Sequence, residues 1–138
     1  MNVLEIPFVD KVGIQKTKNG TLELPFTDDV HNHLQTVHAS AQFALAETSS
    51  GELLQVLFPQ LVGKVIPVLR DSTVKFKKPA MKNIYAYPSV SDEARENFIS
   101  AFNKKGRALL SVDVEVRDTD NTVTCTAGFK WYIQSVDV

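Results

Sequence analysis

The chain has 138 residues, of which 43% are hydrophobic and 22% charged, a composition typical of one globular domain. Its net charge is −1, with 15 basic and 16 acidic residues, so no domain-wide basic surface that would bind nucleic acid is predicted. The sequence contains neither an apolar run of the roughly 20 residues that span a membrane nor a recognisable signal peptide. A lone cysteine, Cys125, excludes an internal disulfide. These features predict one domain over residues 1–138 and a cytoplasmic location.

The first elements predicted are two short strands, over residues 11–17 and 22–26. Asn19-Gly20 lies between them and favours a two-residue turn in which both residues have positive φ. The polar stretch 27–36 is predicted to be a loop.

A helix is predicted next, over residues 37–50, because this stretch is rich in alanine. Gly51 is expected to end it, with a further helical turn or two over 52–58. The helix carries little side-chain bulk, so it can lie close to a sheet that curls around it. Its small residues are Ala39, Ser40, Ala41, Ala44, Ala46, Ser49 and Ser50.

The second half of the chain is predicted to be mainly strands. In the last two, alternating apolar residues such as Leu110 and Val112 indicate a half-buried sheet. A short helix opens at Ser91 and ends at Gly106. Strands linked by hairpins pair antiparallel. The predicted strands cover residues 65–78, 84–90, 109–116 and 123–133.

The segment before the central helix carries a motif with fixed spacing. Asn32 lies six residues before His38, and Glu47 lies nine residues after it. This pattern resembles the active-site segment of hotdog-fold acyl-CoA thioesterases of the phenylacetate-pathway type, which have Asn, a Gly-Thr-x-His-Gly-Gly turn and then an acidic residue. The strand ending in Phe76 and followed by Pro79-Ala80 also resembles that family. The resemblance implies an α+β hotdog fold, with about six antiparallel strands curled around one helix.

The same resemblance implies roles for several residues in thioester hydrolysis. Glu47 is expected to be the general base or the nucleophile, with His38 and Asn32 as the other catalytic residues. Ala39-Ser40 replaces the family's Gly-Gly, and Gln35 stands where glycine is usual. The residues expected to contact the substrate or its oxyanion are Thr36, Ala39, Ser40 and Phe43, with the amides of Ala39 and Ser40 as donors.

Partners and cofactors follow from the same resemblance. The substrate is a small acyl thioester, and no cofactor is expected beyond the coenzyme A that forms part of it. Lys75, Lys77 and Lys78 are candidates to meet coenzyme A phosphates, although a solvated strand face explains them equally well. A homodimer paired through strand 65–78, or a tetramer built from it, is expected. The residues expected to be largely buried around the acyl channel are Phe43, Leu45, Leu54, Val74 and Phe76.

Other interpretations remain open on sequence alone. Glu47 is also compatible with a solvated helix position. His33 and Glu47 have the fourteen-residue separation of hotdog β-hydroxyacyl dehydratases, but the proline and glycine of their turn are missing between residues 35 and 42. A non-catalytic acyl-CoA-binding protein is the third alternative. No metal site is predicted from the histidines, and Cys125 is interpreted as a small core residue.

Overall fold

A single antiparallel sheet of six strands is the main element of the protein, whose computed structural model describes residues 1–137. The strand order is β1-β2-β4-β5-β6-β3, so β1 and β3 are the two edges. Helix α2 packs against β2, β4, β5 and β6, which confirms the predicted hotdog arrangement. The strands are β1 Gln15–Lys16, β2 Leu22–Leu24, β3 Val65–Phe76, β4 Ile84–Ser89, β5 Arg107–Asp118 and β6 Val123–Ser135.

The first part of the strand predicted over residues 11–17 is wrong, because residues 11 and 12 end a helix. A short 3₁₀ turn, Val3–Glu5, is followed by helix α1, Pro7–Val12. Proline is favoured at the first position of a helix, and Gly13 ends α1 in the left-handed region with φ of 92°. Strand β1 therefore begins only at Gln15.

The turn between β1 and β2 also corrects the prediction. Only Gly20 has a positive φ, 86°, while Asn19 does not. The Thr17 amide donates to the Thr21 carbonyl at 2.8 Å, and the Gly20 amide donates to the Thr17 carbonyl at 3.0 Å. The connection is thus a three-residue loop, Lys18 to Gly20, with glycine at the left-handed position.

Helix α2 is one continuous helix, Ala39–Leu57, and not two pieces broken at Gly51. A Cβ at Gly51 would lie 3.3 Å from Cζ2 of Trp131, so the missing side chain leaves room for the indole ring. The expectation that α2 occupies the core is confirmed, since Leu45 and Ala46 are fully buried.

The C-terminal half agrees closely with the sequence prediction. Helix α3, Asp92–Lys105, is capped by the Ser91 side chain and ends at Gly106, which has a φ of 71°. Strands β5 and β6 form a long hairpin. The alternating residues are buried, as predicted: Leu110, Val112, Val114 and Val116. The Cys125 side chain is fully buried opposite Val116, and burial raises its pKa to about 11.

Strand β3 is a twelve-residue edge strand whose outer side has no neighbour among residues 1–137. It carries exposed apolar side chains, including Ile66 (56%) and Val68 (50%). Arg70 is an extra residue in the pairing with β6, because Leu69 pairs with Trp131 and Asp71 pairs with Lys130. Its guanidinium lies 4.2 Å from the centroid of the Tyr132 ring.

The predicted burial of the five pocket residues is only partly correct. Leu45 and Leu54 are buried, and Phe43 and Val74 are half-buried. Phe76 is 48% exposed, which contradicts the prediction for a single protomer. Phe76 lies at the end of β3, whose outer side has no neighbour among residues 1–137, so about half of its side chain stays uncovered.

Candidate active site

One face of α2 stays partly open while the rest of the helix is buried. Ser40, Phe43, Glu47 and Gly51 follow each other at spacings of three and four, so they share this face. The Phe43 ring packs edge-on against Phe129, with centroids 5.5 Å apart. The open face therefore runs along the side of α2 that looks toward β6 and the free edge strand β3.

Glu47 is the ionisable residue at the centre of this face. Its side chain is half-buried, and burial raises the pKa of its carboxyl above the ordinary glutamate range. No neighbouring charge or hydrogen-bond donor among the described residues contributes to that shift. An unpaired, partly desolvated carboxylate is a better proton acceptor near neutral pH than an exposed one.

Glu47 forms part of the wall of a cavity of about 710 Å³. The C-terminal half of α2 forms one side, and the ends of β3 and β6 form another. The N-terminal segment, which the sequence prediction did not connect with the site, forms a third. The lining residues from these three parts are Glu47, Thr48, Gly51, Leu54, Gln55 and Phe58; Val65, Pro67, Trp131 and Ile133; and Met1, Val3, Ile6, Phe8 and Val9.

The Trp131 ring is a fixed part of this wall, and the sequence analysis assigned it no role. Its Nε1 donates a hydrogen bond of 3.0 Å to Oγ of Ser50, and both residues are buried. The ring also fills the space left by Gly51. The only signal for it in the sequence is the glycine inside a helix, which marks a close approach by another residue.

His38 caps the N-terminus of α2. Its Nδ1 accepts a 2.9 Å hydrogen bond from the Ser40 amide, so the neutral ring carries its proton on Nε2. The amides of Ala41 and Gln42 donate to the His38 carbonyl at 2.9 and 3.1 Å. Of the first four amides of the helix, only that of Ala39 donates to no acceptor within residues 1–137. The expected pair of oxyanion donors, Ala39 and Ser40, is therefore reduced to one free donor.

Asn32 and Thr36 hold the turn before α2 in shape. The Asn32 Oδ1 accepts from the amides of Leu34 and Thr36 at 2.9 and 3.0 Å, and its Nδ2 donates to the Thr36 hydroxyl at 2.8 Å. Gln35 has a φ of 62°, a left-handed conformation that explains why glycine is usual there in the resembling family. The structure thus gives Asn32 a role in shaping this turn.

The two halves of the expected site are separated along α2. Ala39 and Glu47 are eight residues apart, which corresponds to about 12 Å along the helix axis. The glutamate side chain tilts toward the helix N-terminus but spans only part of that distance. Within one chain, the Ala39 amide and the Glu47 carboxylate therefore cannot both contact the carbonyl group of one thioester.

The candidate coenzyme A ligands lie near the N-terminus of α2. Lys77 and Lys78 follow β3 and are exposed, and the amides of both approach the Thr124 carbonyl. The Ala80 carbonyl accepts a 2.8 Å bond from the Val37 amide, which ties this segment to the turn before α2. Lys75 is also exposed, so each candidate lysine is free to meet an anion.

The remaining candidates do not form a second site. His33 is exposed in the turn before α2. Within residues 1–137 there is no cluster of three or more His, Cys, Asp or Glu that could hold a metal ion. In the same part of the chain, no helix is long and apolar enough to cross a membrane.

Comparison with known families gives one match over nearly the whole chain. The model of a domain of unknown function, DUF4442, matches residues 6–133. Among curated proteins, none is similar enough in sequence to count as a match.

The solved structures that are similar to this fold include the following three. The first, a protein of unknown function from Pseudomonas aeruginosa described as a probable thioesterase, has 22% identity and a TM-score of 0.80, covering 96% of this chain and 91% of its own. A Haemophilus influenzae thioesterase has 15% identity, a TM-score of 0.77 and coverages of 97% and 87%. A Bacillus halodurans protein crystallised with CoA has 18% identity, a TM-score of 0.71 and coverages of 91% and 74%. At such identities the likeness shows the fold.

Proposed function

The chain belongs to the DUF4442 family, and from its site we propose that this member hydrolyses an acyl-CoA, or an acyl group on a carrier protein, to a free acid and a thiol. The observation that supports this most is Glu47, a half-buried carboxylate with raised pKa in the wall of an apolar cavity. An apolar cavity suits the acyl group, and a basic carboxylate at its wall suits attack on the carbonyl.

The reaction requires one nucleophile and one proton acceptor. With Glu47 as general base, it takes a proton from water while the water oxygen bonds to the thioester carbonyl carbon. The carbon–sulfur bond then breaks, and the thiolate receives the proton. With Glu47 as nucleophile, its oxygen displaces the thiolate, and water then hydrolyses the resulting anhydride. Both routes give the same products, and both require ionised Glu47.

The oxyanion donor for Glu47 comes from a second copy of the chain in this proposal. The open edge of β3 and its exposed apolar residues favour pairing with the β3 of a partner. If the two copies of β3 pair antiparallel about their middle, the C-terminal end of the partner's β3 lies beside Val65 and Pro67, which line the cavity. The segment after β3 is bonded to the turn before α2, so the partner's turn, with its free amide, would lie close to the same cavity. Each site would use Glu47 of one protomer and Ala39 of the other.

The same pairing supports a coenzyme A thioester as substrate. Lys77 and Lys78 adjoin the turn before α2, so the partner's copies would reach the mouth of the cavity together with the amide donor. Lysine ammonium groups bind phosphates as point charges. The fold similarity to the CoA-bound Bacillus halodurans protein agrees with this choice.

The test is thiol release from a panel of acyl-CoAs by wild type and Glu47→Gln. Glutamine keeps the size of the side chain and removes the charge, so turnover should fall at least about a hundredfold. Glu52→Gln is the matched control, because Glu52 lies on the same helix but pairs with Lys16 at 2.7 Å outside the cavity wall.

Three other results would overturn the proposal. Turnover by Glu47→Gln equal to that of wild type would show that Glu47 is neither the general base nor the nucleophile. Hydration of enoyl-CoA without thiol release would identify a dehydratase. Binding of acyl-CoA without any turnover would identify a non-catalytic binding protein.

A further inference from the structure

We infer that the N-terminal segment, residues 1–12, is one wall of a binding site for a long fatty acyl chain, so that this segment selects substrates by chain length. The inference rests on the proposed function for the position of the thioester, and it adds the substrate class. It depends on the geometry of the cavity beyond Glu47.

The cavity has the length of a fatty acyl chain. Its lining extends along α2 from Glu47 to Phe58, the residue that follows the helix, a span of eleven residues or about 16 Å. The hydrocarbon core of a bilayer is about 30 Å thick and holds two acyl chains end to end, so one long chain spans about 15 Å. An acetyl group would leave most of this length empty.

The chemistry of the wall fits an unsubstituted alkyl chain. Among the described residues that line the cavity, the polar side chains Glu47, Thr48 and Gln55 all belong to α2. The indole N–H of Trp131 is already bonded to Ser50. The cation among these lining residues is the α-amino group of Met1, which donates a 2.9 Å hydrogen bond to Oε1 of Gln55. The side chains from β3, β6 and the N-terminal segment are apolar and suit an alkyl chain.

The cavity wall at the end of α2 is held by aromatic packing. The Phe58 ring packs against Phe98 of α3 with centroids 5.0 Å apart. Phe58 is 3% exposed and Phe98 is 2% exposed, so both are fixed in the core. This part of the wall is therefore fixed by the packing of the core.

The N-terminal segment is anchored but presents uncovered apolar groups. Val3 and Val9 are buried at 5% and 4% exposure, which fixes the segment against the body of the protein. Between them, Phe8 remains 65% exposed and Ile6 36% exposed, although both line the cavity. A bound alkyl chain would cover these side chains and gain the free energy of removing apolar surface from water.

The test measures binding without turnover. Glu47→Gln protein is titrated calorimetrically with CoA, acetyl-CoA, octanoyl-CoA and palmitoyl-CoA, below the concentration at which the last forms micelles. Affinity should rise along the series, by at least about tenfold from octanoyl-CoA to palmitoyl-CoA. Introducing Phe8→Ala should lower the ratio of palmitoyl-CoA to acetyl-CoA affinity about tenfold.

Val56→Ala is the matched control, because Val56 is an apolar residue of α2 that is 66% exposed but lies outside this cavity wall. That variant should leave the ratio unchanged. Ile6→Trp replaces an aliphatic side chain in the cavity wall by a larger indole ring. It should lower the affinity for palmitoyl-CoA more than the affinity for acetyl-CoA.

The inference and the proposed function fail in different ways. Palmitoyl-CoA that binds no more tightly than CoA, or a ratio insensitive to Phe8→Ala and Ile6→Trp, would overturn the chain-length inference even if wild type hydrolyses acetyl-CoA. Tight, Phe8-dependent binding of palmitoyl-CoA without thiol release by wild type would instead overturn the hydrolase and keep the acyl site.

Discussion

Replacing Ala39 by proline removes the one free amide at the start of α2 and little else. The substitution is compatible with the fold, because proline is favoured at the first position of a helix. His38 has φ of −59° and ψ of 138°, the extended conformation that a residue before proline prefers. Ala39 is exposed, so the ring has room. The free energy of unfolding should therefore change by less than about 0.5 kcal/mol.

The effect on catalysis should be much larger. Three of the first four amides of α2 already have acceptors in His38, so only one donor can stabilise an oxyanion. Loss of a single such donor typically costs about a hundredfold to a thousandfold in kcat, or about 3–4 kcal/mol of barrier. The assay is steady-state thiol release by Ala39→Pro, with thermal melting of the same samples.

Ala39→Gly is the matched control for this substitution. Glycine keeps the amide and lowers helix stability by up to about 1 kcal/mol. It should melt lower than wild type yet remain active, whereas Ala39→Pro should melt like wild type and be nearly inactive. Turnover by folded Ala39→Pro within about threefold of wild type would refute the assignment of the Ala39 amide.

Three further predictions concern the carboxylate, the wall and the dimer. Burial raises the folded-state pKa of Glu47, so activity should fall on acidification at a pH above the ordinary glutamate range. Glu47→Gln should raise the melting temperature, because the buried charge is removed; this increase should be absent in acid and should grow as pH rises through the range between the unfolded and folded pKa. A pH series of rates and melting curves measures both effects. Ser50→Ala should cost about 1–3 kcal/mol in urea unfolding because it leaves the Trp131 N–H unpaired, whereas Ser49→Ala, which loses only a bond to the helix backbone, should cost less than about 1 kcal/mol. A purified heterodimer of Glu47→Gln and Ala39→Pro chains should recover about half of wild-type turnover, since one of its two sites is intact; no recovery would place both groups in one chain.

The sequence predicted those parts of the fold in which local and long-range signals agree. Helix α3 begins at Ser91 and ends at Gly106, where cap residues coincide with the limits of its packing. In β5, every second residue from Leu110 to Val116 is apolar and buried. The spacing from Asn32 to Glu47 likewise located the turn and the helix that carry the candidate site.

The parts that were missed depend on contacts between distant residues. Gly51 looks like a helix breaker until Trp131, eighty residues later, is seen to occupy the space beside it. Residues 7–12 form too short a helix to show a clear period, and their role as a cavity wall appears only when α2 lies beneath them. The reduction from two free amides to one depends on how the His38 side chain is oriented toward the Ser40 amide, which composition and spacing do not encode.

The extra residue in β3 decides which side chains the site contains. Before Arg70, the odd-numbered residues Pro67 and Leu69 pair with Ile133 and Trp131 and face α2. After it, the even-numbered residues face α2, and Ser72 pairs with Phe129. If the same sequence paired with β6 without an extra residue, the second half of the strand would turn over and direct Lys75 toward α2. Deletion of Arg70 alone would restore a regular strand with Ser72 still opposite Phe129, so the residues that face α2 in both halves should keep their places.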